Sequence, residues 1–167
     1  DVKAANDEGA VAAATVNDVL YAYPMTADNG YFMYYNKAYF SDSDLATLDG
    51  MMSIAAANGK KVTMDWSSGW YLYAFFGNTG LEFGINDDGV TNYCNWNAKD
   101  TAIKGVDVAQ ALLNIASNPG FMNAVDTDFM AGVQDGSVIA GVSGAWNAAT
   151  VKQVWGDNYG AVKLPTY

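Results

Sequence analysis

The chain has 167 residues, 51% apolar and 14% aromatic but only 16% charged, so it can bury the core of one domain and draws its polarity from Asn, Ser, Thr and Gly more than from ions. Eighteen acids against eight Lys, with no Arg, give a net charge of −10; that balance repels phosphate backbones and anionic lipid and argues against nucleic acid as a partner. The absence of His removes the usual general base and the commonest metal ligand. Cys94, the only cysteine, can form neither an intrachain disulfide nor a Cys/His zinc framework and is expected as a buried strand thiol.

Residues 1–18 read as a lead-in segment, Ala-rich around Asp7, Glu8 and Gly9. Val19-Leu20-Tyr21-Ala22-Tyr23 stops at Pro24, and Tyr31-Phe32-Met33-Tyr34-Tyr35 follows the turn-like Asp28-Asn29-Gly30, so both are predicted strands. Ser43 is the expected N-cap of a helix that carries Leu45, Leu48, Met52, Ala55 and Ala56 on one stripe and stops at Asn58-Gly59. Val62-Thr63-Met64 is a short strand, and Ser67 or Ser68 would cap a helix reaching Phe76.

Leu81–Ile85 and Val90–Cys94 flank Asn86-Asp87-Asp88-Gly89 and predict a hairpin. Asp100 is the expected cap of the strongest helix, with Ala102, Val106, Ala109, Leu113 and Ala116 facing the core and Lys104, Asp107, Gln110 and Asn114 opposite. Asn118-Pro119-Gly120 ends it, Asp126 or Thr127 starts a shorter helix, and Val138–Val142 is a strand. A last helix runs from Ala145 towards Trp155, and a strand from Tyr159 to Leu164 follows the turn at Gly156-Asp157-Asn158. Alternation of strands and helices from residue 31 onward predicts an α/β fold, a mixed sheet flanked by helices with antiparallel pairing at the hairpin. The chain opens without Met, shows no apolar run of about eighteen residues, and closes on Ala161–Tyr167 as a strand entering a linker, so it is expected to be a piece of a longer protein.

The most informative stretch is Trp66–Phe76, which holds six aromatics immediately after a predicted strand, with Asp65 and Ser67 at its head; a second aromatic site follows at Gly144-Ala145-Trp146-Asn147. Flat rings beside a carboxylate and small polar side chains suit the apolar face and hydroxyl rim of a sugar ring. Both segments sit where a strand gives way to a helix, and in an open α/β sheet that crevice is where ligands bind. Tyr73, Phe75 and Phe76 are assigned to packing, whereas Trp70, Tyr71 and Trp146 are candidates for the site, their rings expected to open outward into one concavity. Trp66 fits either role, and Trp96 and Trp155 are assigned to packing or an interface. Asp28 can be a turn-former or a ligand carboxylate, and Asp65 an N-cap or a ligand carboxylate.

The order Tyr23-Pro24, Tyr35-Asn36-Lys37, Gly59-Lys60, the aromatic helix start, Gly144-Ala145-Trp146 and Val162-Lys163-Leu164-Pro165 resembles the second lobe of maltose/maltodextrin-binding proteins, extracellular solute-binding components of ATP-driven (ABC) sugar importers. The resemblance implies one lobe, residues 19–167, of a two-lobed periplasmic-binding-protein-like (type II) fold, with the first lobe and a returning C-terminal segment as missing partners. It also implies an oligosaccharide ligand, transporter permease subunits as partners, and a cell-surface lipoprotein or periplasmic location. Carried over residue by residue, it makes Asp28 a cleft carboxylate, places Trp70 and Tyr71 at the aromatic helix start, and makes Trp146 the stacking residue. Asp65, Trp66 and Asn147 complete the expected substrate-binding set, although Gly69 stands where the maltose pattern is acidic, Leu72 where it is aromatic, and Asp65 and Trp66 have no counterparts.

No metal or cofactor is expected: Asp87, Asp88, Asp126 and Asp128 lack the alternating spacing and terminal Glu of an EF-hand loop. A glycoside hydrolase is the enzymatic alternative and would need Asp28 and Asp65 about 5 to 9.5 Å apart across the scissile bond. A surface adhesion or scaffold domain is the third reading. An apolar seam left by missing segments would favour self-association.

Overall fold

The computed structural model describes residues 1–27, 29–77 and 79–167. At the amino end the Asp7 side chain accepts from the Gly9 and Ala10 N–H groups at 2.9 and 3.2 Å and caps α1 (Glu8–Ala13). The two-residue strands β1 (Thr15–Val16) and β2 (Val19–Leu20) pair antiparallel around Asn17 and Asp18, both at positive φ, as a tight primed turn requires. The predicted Val19–Tyr23 strand is therefore paired only over its first two residues.

Then follow β3 (Tyr31–Asn36), α2 (Leu48–Ala57), β4 (Lys61–Met64), α3 (Gly69–Leu72), the hairpin β5 (Phe83–Ile85) and β6 (Asn92–Cys94), α4 (Gly105–Ala116), β7 (Phe121–Asn123), α5 (Asp126–Asp135), β8 (Val138–Gly144), α6 (Ala148–Trp155) and β9 (Tyr159–Val162). Five strands form one mixed sheet in the order β7-β4-β8-β3-β9. β7, β4 and β8 run parallel, and β3 lies antiparallel to both β8 and β9. Antiparallel pairing thus enters the main sheet at β3, not only at the hairpin, which forms a separate two-stranded ribbon.

Helices cover both faces. Met33, Tyr35, Val62, Met64 and Val142 pack with Met51, Met52 and Ala55 of α2, Tyr71 of α3 and Ile115 of α4. On the other face Tyr34 and Val138 pack with Phe129 and Val133 of α5 and Val151 and Trp155 of α6. All seven residues of β8 are buried, the continuous apolar run expected of a central strand covered on both faces.

Two helix starts differ from the sequence expectation for one reason: the capping acid lies inside the helix. Asp44 accepts from the Ser41 N–H at 2.7 Å and the Ser41 hydroxyl at 2.6 Å, making a short 3-10 turn at Asp42–Leu45, and α2 itself begins after Thr47. These bonds hold the Asp44 carboxyl below its ordinary range. Likewise Asp107 accepts from the Lys104 N–H at 2.8 Å, so α4 starts at Gly105 and Asp100 stays in the preceding loop.

The inward stripe of α4 is Gly105, Val108, Ala111, Leu112 and Ile115, while Val106 and Leu113 are 69% and 62% exposed. The predicted stripe is thus the solvent face. Gly105 lies so tightly against the Trp96 carbonyl that a Cβ there would overlap it, and this contact sets the rotation of the helix. Cys94, expected inside, is exposed, because the β5–β6 ribbon has no layer over it: Ile85 and Tyr93 are exposed as well. The helix predicted through Phe76 ends at Leu72 and tightens into a 3-10 turn at Tyr73–Phe75, and the last strand stops at Val162.

Two measurements check this packing. At Gly141 an added Cβ would overlap the Thr63 hydroxyl and the Phe129 ring, so Gly141→Ala should lower unfolding free energy by about 1–3 kcal/mol in urea titration. Cys94 should react with a thiol reagent in the native protein as fast as in urea; protection in the native state would contradict the uncovered ribbon.

Candidate functional site

The three parallel strands end together at Met64, Asn123 and Gly144, and the antiparallel β3 begins at the same edge with Tyr31 opposite Gly144. Each carboxyl end leads directly into a helix: Asp65 to α3, Ala124 to α5, and Ala145–Asn147 to α6. The two aromatic segments of the sequence therefore share one edge of the sheet.

Gly144 and Tyr31 are register partners on one face of the sheet, the face of Met33 and Val142. A Cβ on Gly144 would fall within the Trp146 indole, so that ring lies flat over the glycine and on the same face as Tyr31. Trp70 meets Tyr31 edge-on, centroids 5.8 Å apart at 69°. Trp70 and Trp146 are 49% and 53% exposed, and with the half-buried Tyr31 they make an open aromatic ledge.

Tyr71 departs from the expectation of an outward ring. It is 7% exposed, 5.1 Å from Tyr31 by ring centroids, and part of the core beneath the ledge. Burial pushes its hydroxyl above the ordinary phenol range, and the Asp126 charge adds to the rise, while the nearby Ser143 side chain works against it. Tyr31 is raised by burial and then by Tyr73. Both phenols stay neutral at physiological pH and keep an O–H to donate.

A polar cluster sits at the same end of the sheet but on its other face, where Ser143 is the partner of Phe32 and α5 packs with Tyr34. Asp126 Oδ1 accepts from the Ser143 hydroxyl at 2.7 Å and from Asn147 Nδ2 at 2.6 Å, and Asn147 Nδ2 also donates to Ser143 Oγ at 2.9 Å. Asp65 Oδ1 accepts from the Ser67 N–H at 2.9 Å and the Ser67 hydroxyl at 2.5 Å, holding the turn into α3. The Trp66 N–H donates to Asn123 Oδ1 at 2.7 Å, while its ring is turned into the core against Phe121 and Phe75 at 4.5 and 5.8 Å. Asp28 lies outside the described residues. Trp70, Trp146 and Asn147 thus come together at the edge; Tyr71 and Trp66 are beneath it, and Asp65 serves a turn beside it.

A cavity of about 840 Å³ lies behind this edge, lined largely by apolar groups including Met33, Val62, Phe75, Val108, Phe121 and Leu164. Neither Trp70 nor Trp146 lines it. Tyr31 and Trp66 line it, together with polar groups such as Thr63, Tyr73 and Thr166, so the cavity opens beside the ledge; the ledge is taken as the candidate site because it carries the two exposed indoles. Among the described residues no cluster of three or more acidic or thiol side chains could hold a metal ion, and no helix is long and apolar enough to cross a membrane.

Residues 1–166 match the family described as bacterial extracellular solute-binding protein. The chain belongs to that family. No curated protein sequence matches it. Among solved structures, one with acarbose is 31% identical at a TM-score of 0.74, covering 98% of this chain and 41% of its own. The maltodextrin-binding protein from L. casei BL23 without ligand is 24% identical at a TM-score of 0.75, covering 98% and 42%. The maltose-maltodextrin binding protein of Alicyclobacillus acidocaldarius is 21% identical at 0.66, covering 96% and 43%. The chain therefore spans under half the length of the two-lobed structures it matches.

Tyr31, Asp126 and Ser143 are the neighbours of the candidate site that motif reading missed. The signal for Tyr31 was present in the strand alternation, since Tyr31, Met33 and Tyr35 share a face. None existed for Asp126, which reaches the edge only through the pairing of β4, β7 and β8. Gly144→Ala should displace the Trp146 ring, changing near-ultraviolet circular dichroism as much as Trp146→Phe does while costing about 1–3 kcal/mol of stability.

Proposed function

We propose that residues 19–167 form a carbohydrate-binding lobe, with 1–18 as its lead-in, of an extracellular solute-binding protein that delivers a maltodextrin-like oligosaccharide to the permease subunits of an ABC importer. The observation that carries this reading is the pair of half-exposed indoles, Trp70 and Trp146, at the end of the sheet where Asp126, Ser143 and Asn147 are hydrogen-bonded together. Exposed indoles held at fixed angles stack on sugar rings, and neighbouring carboxylate and hydroxyl groups take the hydroxyl rim. The names of similar structures, which include maltodextrin-binding proteins and complexes with acarbose and maltotetraose, support the same class of ligand. Delivery outside the cell, from a lipid-anchored or periplasmic position, accords with the family description.

In this reading Trp70, Trp146 and Tyr31 stack on the ligand, Tyr71 supports Tyr31 from below, and Asp65 and Trp66 shape the approach from α3. No bond is broken. Asp65 is engaged by both donors of Ser67, and nothing at the edge favours a hydrolase.

Two or three stacking rings at about 0.5–1.5 kcal/mol each and two or three net hydrogen bonds at about 1 kcal/mol each are largely offset by the cost of association. The 167-residue chain alone should therefore bind maltotriose with a Kd in the millimolar range or weaker, about −4 kcal/mol. Titration followed by tryptophan fluorescence and NMR reads this out, and Trp146→Ala should abolish the response. Micromolar affinity would contradict a half-cleft, and release of glucose or shorter oligosaccharides on chromatography would contradict a binding role.

A further inference from the structure

The sequence holds two Asn-Gly pairs, Asn29-Gly30 and Asn58-Gly59. Glycine is the follower that leaves an asparagine side chain most open to attack by the next backbone nitrogen, because no Cβ crowds that nitrogen and the backbone turns freely. In the sequence the two pairs are equivalent. In the structure they are not.

Asn58 closes α2 as its C-cap. Its Nδ2 donates to the Ile54 carbonyl at 2.9 Å, and the Gly59 N–H donates to the Ala56 carbonyl at 3.0 Å. Both reacting groups, the side-chain amide and the N–H that follows it, are thus committed to the end of a helix and must be released before they can meet.

Asn29 and Gly30 are exposed and lie outside any helix or strand. Among the described residues neither the Asn29 side chain nor the Gly30 N–H makes a hydrogen bond, and nothing lies within 4 Å of a Cβ built on Gly30. The segment is tied on its far side only: the Gly30 carbonyl accepts from the Ala145 N–H at 2.9 Å, and Tyr31 follows as the register partner of Gly144. A free amide and a free N–H therefore occupy adjacent residues directly before the aromatic ledge.

We propose that Asn29 is a site of uncatalysed deamidation in the folded protein, and that the helix cap at Asn58 withholds the second pair from the same reaction. The Gly30 nitrogen attacks Asn29 Cγ; the N–Cγ bond forms, the Cγ–Nδ2 bond breaks, the nitrogen gives its proton to solvent, and Nδ2 leaves as ammonia. The resulting succinimide takes up one water. Opening at Cγ leaves an ordinary aspartate at position 29, and opening at the backbone carbonyl leaves isoaspartate, whose main chain runs through Cγ. Either product adds one carboxylate to a net charge of −10. The iso form also lengthens the backbone by one carbon immediately before the carbonyl that holds Ala145.

The test is incubation of the 167-residue protein in warm, mildly alkaline buffer, with proteolysis and mass spectrometry of the peptides that carry Asn29 and Asn58. The same chain in urea is the reference for each site, and there the two should convert at similar rates. In the folded protein Asn29 should react within about threefold of its urea rate, whereas Asn58 should fall about tenfold or more below its own, as expected when hydrogen bonds must open first. An isoaspartyl methyltransferase should label the peptide containing position 29, and ion exchange should resolve a more acidic form of the intact protein. Gly30→Ala, which has room for its methyl group, should slow the conversion of Asn29 and leave the near-ultraviolet circular dichroism unchanged.

Protection of Asn29 in the folded protein to the same degree as Asn58 would overturn the proposal. Equal reaction of both sites in the folded protein would overturn it too, because the helix cap would then withhold nothing.

Discussion

The register between β3 and β8 is the constraint on which the site depends. Tyr31 stands opposite Gly144, Met33 opposite Val142 and Tyr35 opposite Ala140. A slip of one residue would exchange the two faces of β3, because side chains alternate with a period of two. Phe32 and Tyr34 would then point to the ledge, and Tyr31 would lie under α5. Burial forbids the slip: Met33 and Tyr35 are fitted to the cluster around α2, and Tyr34 to the cluster around Phe129 and Val151. The Tyr34 hydroxyl adds a tie from the opposite face, donating to the Gly144 carbonyl at 2.7 Å. The strand end that seats Trp146 is therefore held from both sides of the sheet.

From this register the chemistry of the edge follows. With no His and no Arg, recognition falls to flat rings, hydroxyls, amides and carboxylates. Burial keeps Tyr31 and Tyr71 neutral, so they contribute ring surface and donors without charge. Two carboxylates stand at this end of the sheet among the described residues, Asp65 and Asp126, and Asp126 is oriented by side chains from a different strand end. Such a surface accords with the proposed neutral, hydroxyl-rich ligand better than with an anionic one, given the net charge of −10.

Much of the fold was legible because local signals and tertiary packing agree. β8 reads as an unbroken apolar run, and it is buried throughout; Asn86–Gly89 reads as a hairpin loop, and β5 and β6 flank it. Where the two disagree the sequence misleads. Val106 and Leu113 form as good a stripe as Val108 and Ile115, and tertiary contacts, the close seat of Gly105 on the Trp96 carbonyl and the packing of Ile115 in the core, go with the second. The same holds at the site. Trp70 and Trp146 could be named from their place after strands, but Tyr71, its sequence neighbour in α3, turns inward because one turn of helix cannot present adjacent residues to the same side. Asp126 was visible only as a helix start or a loop acid, since its proximity to Ser143 and Asn147 is created by strand order.

That dependence on strand order also means that the edge would meet the proposed ligand with its groups already set. Its groups come from four separate chain segments: Tyr31 from the start of β3, Trp70 from α3, Asp126 from α5, and Trp146 and Asn147 from the turn after β8. Each is fixed by a contact that exists before any ligand arrives. The Trp146 ring rests on Gly144, the Trp70 ring on Tyr31, and the Asp126 carboxylate on Ser143 and Asn147. Ordering these side chains on binding would otherwise cost about 0.5–1.5 kcal/mol apiece. A single weak platform made of pre-set groups can thus keep most of its small interaction energy, and any second surface that closed over the same ligand would add to it without first having to organise this one.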